Sequence, residues 1–217
     1  MQLSGFSRFS GIYAITDDTL LPAERLLTAT EVALQNGVSL IQYRSKTASD
    51  TERLEQAKSL ARLCEQYKIP LIINDDVELC RAAGASGVHL GHSDASVESA
   101  RARLGSDAII GVTCHASIED AVKAENSGAD YVAFGRFFPS NSKPQASPAK
   151  LEILGQAAAV LKIPIVAIGG INAENGASLL QAGADMLAVI HAVFGGDDVA
   201  GQCRELVEIC ELAKQSD

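Results

Sequence analysis

Four times in this chain a helical run stops at a glycine and an apolar strand begins within a few residues. The junctions are Gly37-Val38, Gly84-Ala85-Ser86-Gly87-Val88, Gly128-Ala129-Asp130-Tyr131 and Gly183-Ala184-Asp185-Met186. A glycine just past a helix end takes the left-handed backbone that stops the helix. The strand runs themselves are rich in Val, Ile, Leu and Ala, the pattern of strands covered on both faces. Strands of that kind lie parallel, with helices as their crossovers. The same alternation, read along the chain, predicts strands at 11–16, 38–43, 71–74, 87–90, 108–112, 131–134, 165–168 and 186–190, with helices between them, for example at 51–67, 118–126 and 174–181. Eight strands alternating with helices are what a closed (β/α)8 TIM barrel requires. Pro70 and Pro164 each open a strand, where a missing N–H is tolerated. No stretch reads as a linker, so 217 residues are expected to form one barrel domain over 1–217.

Composition narrows the function. The net charge of −9 argues against a nucleic-acid surface, which rests on basic patches. No apolar run reaches the roughly 20 residues of a membrane helix. The five Cys, at 64, 80, 114, 203 and 210, form no Cys-x-x-Cys pair. Their odd number, with no signal segment, points to reduced thiols in the cytoplasm, serving as small apolar fillers. A homo-oligomer is compatible with the sequence.

Several segments carry groups that grasp anions. Gly169-Gly170 closes the strand 165–168, and backbone without side chains lets N–H groups approach an anion closely. In a (β/α)8 barrel the loops after the last two strands commonly hold a phosphate. A phosphorylated small molecule is therefore the expected substrate class. At the end of the second strand, alternation directs Gln42, Arg44 and Lys46 to one side and Tyr43 to the other. Arg44 and Lys46 together could hold a pyrophosphate, Arg by its fork and Lys as a point charge. Asp75 and Asp94 come after the third and fourth strands; two carboxylates with phosphate oxygens are a usual way to hold Mg²⁺. Asp76 reads better as a helix N-cap. His89, His92, Cys114 and His115 lack convincing zinc spacing, and His115 is expected at the pocket mouth. The longest irregular segment, 135–148, holds Ser140, Asn141, Ser142 and Lys143, two hydroxyls and a cation suited to phosphate. A loop of that length is expected to act as a lid.

Taken in order, these pieces resemble the thiamine phosphate synthase family. The resemblance runs from Tyr13-Ala-Ile-Thr-Asp17 to Val189-Ile-His-Ala-Val193. Its most specific parts are Gln42-x-Arg44-x-Lys46, Asn74-Asp75, Gly87-Val-His-Leu-Gly91 with Asp94, the 139–143 loop and Ala167-Ile-Gly-Gly-Ile171. The resemblance implies condensation of hydroxymethylpyrimidine pyrophosphate with a thiazole phosphate, giving thiamine phosphate and pyrophosphate, with Mg²⁺. It implies a pyrimidine pyrophosphate site at Gln42-Tyr43-Arg44-Ser45-Lys46, Asn74, Thr113 and Lys143, and Mg²⁺ ligands at Asp75 and Asp94. The thiazole phosphate would meet Ser140, Asn141, Ser142, Gly170, Ile190 and His191. Arg44, Lys46 and Lys143 would take the leaving charge. Three places depart from the family's habit: Ser140-Asn141-Ser142 for Thr-x-Thr, Tyr43 for Leu, Thr113 for Ser. His191 is a fourth, standing where Ser is common. The alternatives are a thiazole tautomerase lacking the pyrimidine site, another phosphate-binding barrel such as an epimerase, and a barrel kept as a ligand sensor. The full Gln42–Lys46 set with Asp75 and Asp94 argues against all three.

Overall fold

The structure, a computed structural model, describes residues 9–139 and 148–214. Its chain order is β1 (Gly11–Ile15), α1 (Ala23–Gln35), β2 (Val38–Tyr43), α2 (Asp50–Tyr67), β3 (Leu71–Asn74), α3 (Val77–Ala83), β4 (Gly87–Leu90) and α4 (Val97–Leu104). It continues with β5 (Ile109–His115), α5 (Ile118–Asn126), β6 (Tyr131–Gly135), α6 (Glu152–Ala158), β7 (Ile165–Ile168), α7 (Gly176–Gln181), β8 (Met186–Val189), α8 (His191–Phe194) and α9 (Val199–Lys214). Neighbouring strands pair in parallel in chain order, and β1 pairs with β8 to close the barrel. The expected (β/α)8 TIM barrel is the fold found.

The repeated helix-to-strand junction does more than stop helices. At Gly128-Ala129-Asp130, the Asp130 N–H donates to Ile110 O (2.7 Å) while its carboxylate accepts from Ile110 N (2.8 Å). Asp185 grips Ile165 the same way, at 2.8 and 2.7 Å. Ser86 grips Leu71 with its N–H and hydroxyl, at 2.9 and 3.2 Å. Each junction therefore fixes the register of the strand it opens against the strand before it. Burial raises the Asp185 carboxyl above its ordinary value, against the lowering effect of the Ile165 N–H.

Alternation sorts the strands into two cores. Ile12, Ala14, Ile41, Tyr43, Val88, Leu90, Ile110 and Val132 pack outward against the helices. Tyr13, Ile15, Leu40, Ile72, Ile109, Tyr131, Val166 and Met186 fill the barrel interior. Each large aliphatic side chain so buried is worth about 1.5–3 kcal/mol.

Two elements depart from the sequence expectation by more than one residue at an end. β5 runs on to His115 instead of ending at 112, because the register shifts between Thr113↔Ala133 and His115↔Phe134 and leaves Cys114 as an extra residue. α7 begins at Gly176, not at 174. Asn172 Oδ1 accepts from the N–H groups of Glu174 and Asn175, and Asn175 Oδ1 accepts from Asn172 N. Short amide side chains of this kind compete with the helical hydrogen bonds. Among the described residues no helix is long and apolar enough to cross a membrane.

Candidate active site

In a parallel barrel all strand carboxyl ends open on one rim. That rim carries Arg44 just after β2, Asn74 and Asp75 at β3, Asp94 after β4 and Thr113 near the end of β5. Gln42 lies within β2, 3% exposed, on the inward face that alternation predicts. Tyr43 faces the other way: its side chain packs against the helices and its hydroxyl donates to Gln56 of α2 (2.6 Å). The Tyr43 side chain is thus not brought to the rim with its neighbours.

β2 ends at Tyr43, so strand alternation no longer sets the direction of Arg44, Ser45 and Lys46. The β1 loop holds them instead. Thr16 Oγ accepts from Arg44 N (2.9 Å) and donates to Arg44 O (3.2 Å). Arg44 Nη1 meets Asp17 Oδ2 at 3.1 Å, with the two side chains 11% and 22% exposed. Asp18 accepts from the main-chain N–H groups of Lys46 and Thr47. Burial pushes the Asp18 carboxyl up, but those N–H groups and the nearby hydroxyls outweigh it and hold it below its ordinary value. Lys46 is exposed, and Ser45 Oγ accepts from Ala48 N (3.4 Å).

The β3 end is a strained turn. Asp76 N donates to Asn74 O (2.8 Å) across a single residue, Asp75, whose φ is +65°. This is a γ-turn with positive φ at its centre, a rare and costly conformation for any residue but glycine. The Asp75 N–H donates to His89 O (2.8 Å), and its carboxylate accepts from Asn74 Nδ2 (2.6 Å). Asp76 caps α3 by accepting from Leu79 N (2.8 Å), as its position predicts. Asp94 Oδ2 accepts from Gly91 N (2.6 Å); a side chain at 91 would crowd that oxygen. Carboxylates held on adjacent strand ends suit a cation whose remaining ligands are waters and phosphate oxygens, as Mg²⁺ prefers. Among the described residues no cluster of three or more His, Cys, Asp or Glu could hold a metal unaided. All five Cys are buried thiols outside any disulfide, and burial pushes Cys64, Cys80 and Cys114 up to about 12.

On the opposite arc, Gly169 (φ +106°) and Gly170 (φ +65°) come directly after β7. The chain after β6 lies directly on them. Phe137 N donates to Ile168 O (3.2 Å) and Phe138 N to Gly169 O (3.0 Å). A Cβ on Gly170 would stand 2.3 Å from Pro139 O. Ile190 precedes the short α8, and the exposed His191 ring folds back over Gly195. Ser140, Asn141, Ser142 and Lys143 lie outside the described residues.

Sequence reasoning missed the polar layer beneath the rim. Gln42 Nε2 donates to Tyr13 Oη (2.6 Å), which lies 2.8 Å from Tyr131 Oη. Tyr131 Oη is 2.9 Å from His89 Nδ1, and His89 Nε2 is 2.8 Å from Thr113 Oγ. His89 is therefore an interior residue, and the His89 and Tyr131 rings stack at 5.6 Å. Gly111 stands between them in register, paired with both, and a Cβ there would strike the Tyr131 ring at 2.0 Å. That one absent side chain admits the layer. Burial raises the hydroxyls of Tyr13 and Tyr131 far above their ordinary value, so both keep their protons.

Comparison with known proteins agrees with this fold. A family model described as thiamine monophosphate synthase matches residues 12–193. A thiamine-phosphate synthase of Saccharophagus degradans is 50% identical, over 94% of this chain and 95% of its own. One from Nitrosococcus oceani is 51% identical, over 89% of each. The solved structure of a thiamine phosphate pyrophosphorylase from Pyrococcus furiosus superposes with a TM-score of 0.85 at 36% identity, covering 95% of this chain and 98% of that one.

Proposed function

The chain belongs to the thiamine monophosphate synthase family, and we propose that it joins hydroxymethylpyrimidine pyrophosphate to a thiazole phosphate, releasing thiamine phosphate and pyrophosphate. The observation that carries this reading is the sequence of strand ends. Gln42 and Arg44, Asn74 and Asp75, Asp94, and Thr113 stand in or just after four consecutive strands, β2 to β5, at their carboxyl ends. A thiazole tautomerase has no use for that arc.

Arg44 would hold the pyrophosphate from one side, oriented by its pairing with Asp17. Lys46 and Lys143 would add point charges as the leaving group departs. Asp75 and Asp94 would hold Mg²⁺, which when bound supplies positive charge to the pyrophosphate oxygens. Gln42 and Asn74 would meet the aminopyrimidine, and Thr113 would contact the same substrate. The amino group and ring nitrogens spread positive charge as the C–O bond breaks, so no protein nucleophile is required. The thiazole nitrogen then attacks the exocyclic carbon. Holding two substrates in line can supply up to about 7–11 kcal/mol of barrier lowering. The main chain at Gly170, Ile190 and His191, with Ser140 to Ser142, would seat the thiazole phosphate. The 135–148 segment would cover both and exclude water that would otherwise capture the cation. We read the chain as one barrel domain acting in the cytoplasm, which its five buried thiols support.

Purified protein given both substrates and Mg²⁺ is expected to yield thiamine phosphate by mass spectrometry. Asp94→Ala should remove most of that turnover at limiting Mg²⁺. Binding of the thiazole phosphate with no binding of the pyrimidine pyrophosphate would overturn the assignment in favour of a tautomerase.

A further inference from the structure

Gln42, Tyr13, Tyr131, His89 and Thr113 touch end to end, and a row of such groups has a direction. Each tyrosine hydroxyl holds one proton, and a neutral imidazole has one donor nitrogen and one acceptor. With Gln42 donating to Tyr13, every buried proton in the row finds an acceptor in one order: Tyr13 donates to Tyr131, Tyr131 donates to His89 Nδ1, and His89 Nε2–H donates to Thr113 Oγ. The Thr113 hydroxyl proton is then left for a group at the rim. If the Gln42 amide is turned, every bond reverses, and Thr113 spends its proton on His89 Nε2. A mixed order also meets the four contacts, but it makes one tyrosine oxygen accept twice and leaves that tyrosine's own buried proton without an acceptor in the row, at a cost of about 1–3 kcal/mol.

We propose that these five side chains form a one-way hydrogen-bond relay, set at Gln42, that holds His89 as the Nε2–H tautomer and keeps Thr113 a donor toward the substrate. The proposal rests on the reading that Gln42 and Thr113 face the pyrimidine pyrophosphate. An oxyanion at the rim gains from a hydroxyl donor and is repelled by a lone pair. A Gln42 amide that gives one N–H to Tyr13 keeps its oxygen and its second N–H side by side. That edge matches an aminopyrimidine, which offers an N–H beside a ring nitrogen. Tyr13, Tyr131 and His89 are thereby positioning residues: they transmit the orientation of Gln42 across the barrel to Thr113, with no proton leaving the row.

Nitrogen NMR of protein carrying isotope-labelled histidine reads the tautomer directly, without substrate. The chain has four His, and the His89 signals are those absent from His89→Gln. The expected wild-type result is a protonated Nε2 and a bare Nδ1. A protonated Nδ1, or both nitrogens protonated, overturns the proposal. In Gln42→Glu at about pH 9 the carboxylate can only accept, so the His89 proton should move to Nδ1. A tautomer that stays put refutes control by Gln42; if that variant does not fold, the wild-type spectrum still decides. Tyr131→Phe, which cuts the row, should raise the pyrimidine KM about tenfold and leave the thiazole phosphate KM within about twofold. Equal changes in both would mean a general loss of structure and sink the positioning role. Because the tautomer is read on the free protein, an intact relay in a protein that ignores the pyrimidine would fault the functional reading alone.

Discussion

Replacing Asp75 by glycine separates what the residue does for the fold from what it does for the reaction. Asp75 sits at φ +65° in a one-residue turn, between the last residue of β3 and the cap of α3. A side chain held there costs about 1–2 kcal/mol. Glycine removes that cost but gives back about 0.5–1 kcal/mol through its freer unfolded chain. The exposed bond from Asn74 Nδ2 to the Asp75 carboxylate, 2.6 Å, is lost for about 0.5 kcal/mol more. The main-chain bonds to His89 O and from Asp76 N survive, since glycine keeps both groups. Folding stability should therefore change by between about −0.5 and about +1 kcal/mol. Turnover should fall by at least about a hundredfold, as removing a cation ligand costs no less than disturbing its supports. Urea unfolding followed by helical circular dichroism gives the first number; product formation over a Mg²⁺ titration gives the second. A loss of more than about 2 kcal/mol of stability would show that Asp75 is structural. Near-normal turnover would show that the strain in this turn serves something other than the reaction.

The remaining predictions concern the same rim. Arg44→Ala should lower kcat/KM for the pyrimidine substrate by about thirtyfold, about 2 kcal/mol, because its side chain is only 11% exposed and so shielded from salt; unchanged steady-state kinetics would remove Arg44 from the site. Gly170→Ala must move Pro139 O, 2.3 Å from the new Cβ, and adopt φ +65°, so it should cost more than about 2 kcal/mol in urea unfolding; a neutral result would mean the 136–139 segment does not rest on Gly170. Asp18 has its folded pKa lowered, so it adds stability above its unfolded value near 3.8 and loses it as pH falls through the lower folded value. Asp18→Asn should flatten the stability profile over that acid window, and identical acid profiles for the two proteins would contradict it.

Most of the barrel was legible because its stops are local. Glycine at φ +67°, +92° and +113° ends the helices before β4, β6 and β8, and no distant residue is needed to read it. The Asp and Ser just after these glycines were visible as a repeat, but their grip on the preceding strand is a pairing across 15 or 20 residues. The β5 irregularity was not legible for the same reason: Cys114 becomes an extra residue only once His115 pairs with Phe134.

The rim and the layer beneath it differ in legibility on physical grounds. Polar residues at apolar strand ends stand out in sequence because burial would cost them several kcal/mol without partners. Gln42, Arg44 and Lys46 stand out that way, whereas Asp75 and Asp94 are legible as a pair of carboxylates following neighbouring strands. What fixes Arg44, however, is Thr16 and Asp17 on another strand end, and no spacing rule announces it. His89 looked like a weak metal ligand because its partners come from β5 and β6. The clue was a gap rather than a group: Gly111 occupies an inward position of β5 where an aliphatic side chain belongs. Once the barrel is closed, that vacancy faces Tyr131 on one side and His89 on the other. A large ring opposite an absent side chain is how a packed interior keeps its density. Three rings, an amide and a hydroxyl in that layer can carry hydrogen-bond direction across a core that would otherwise be aliphatic. Gly111→Ala should accordingly disturb the tautomer of His89 as well as stability, since the new Cβ, 2.0 Å from Tyr131 Cζ, cannot fit without moving the ring off His89 Nδ1.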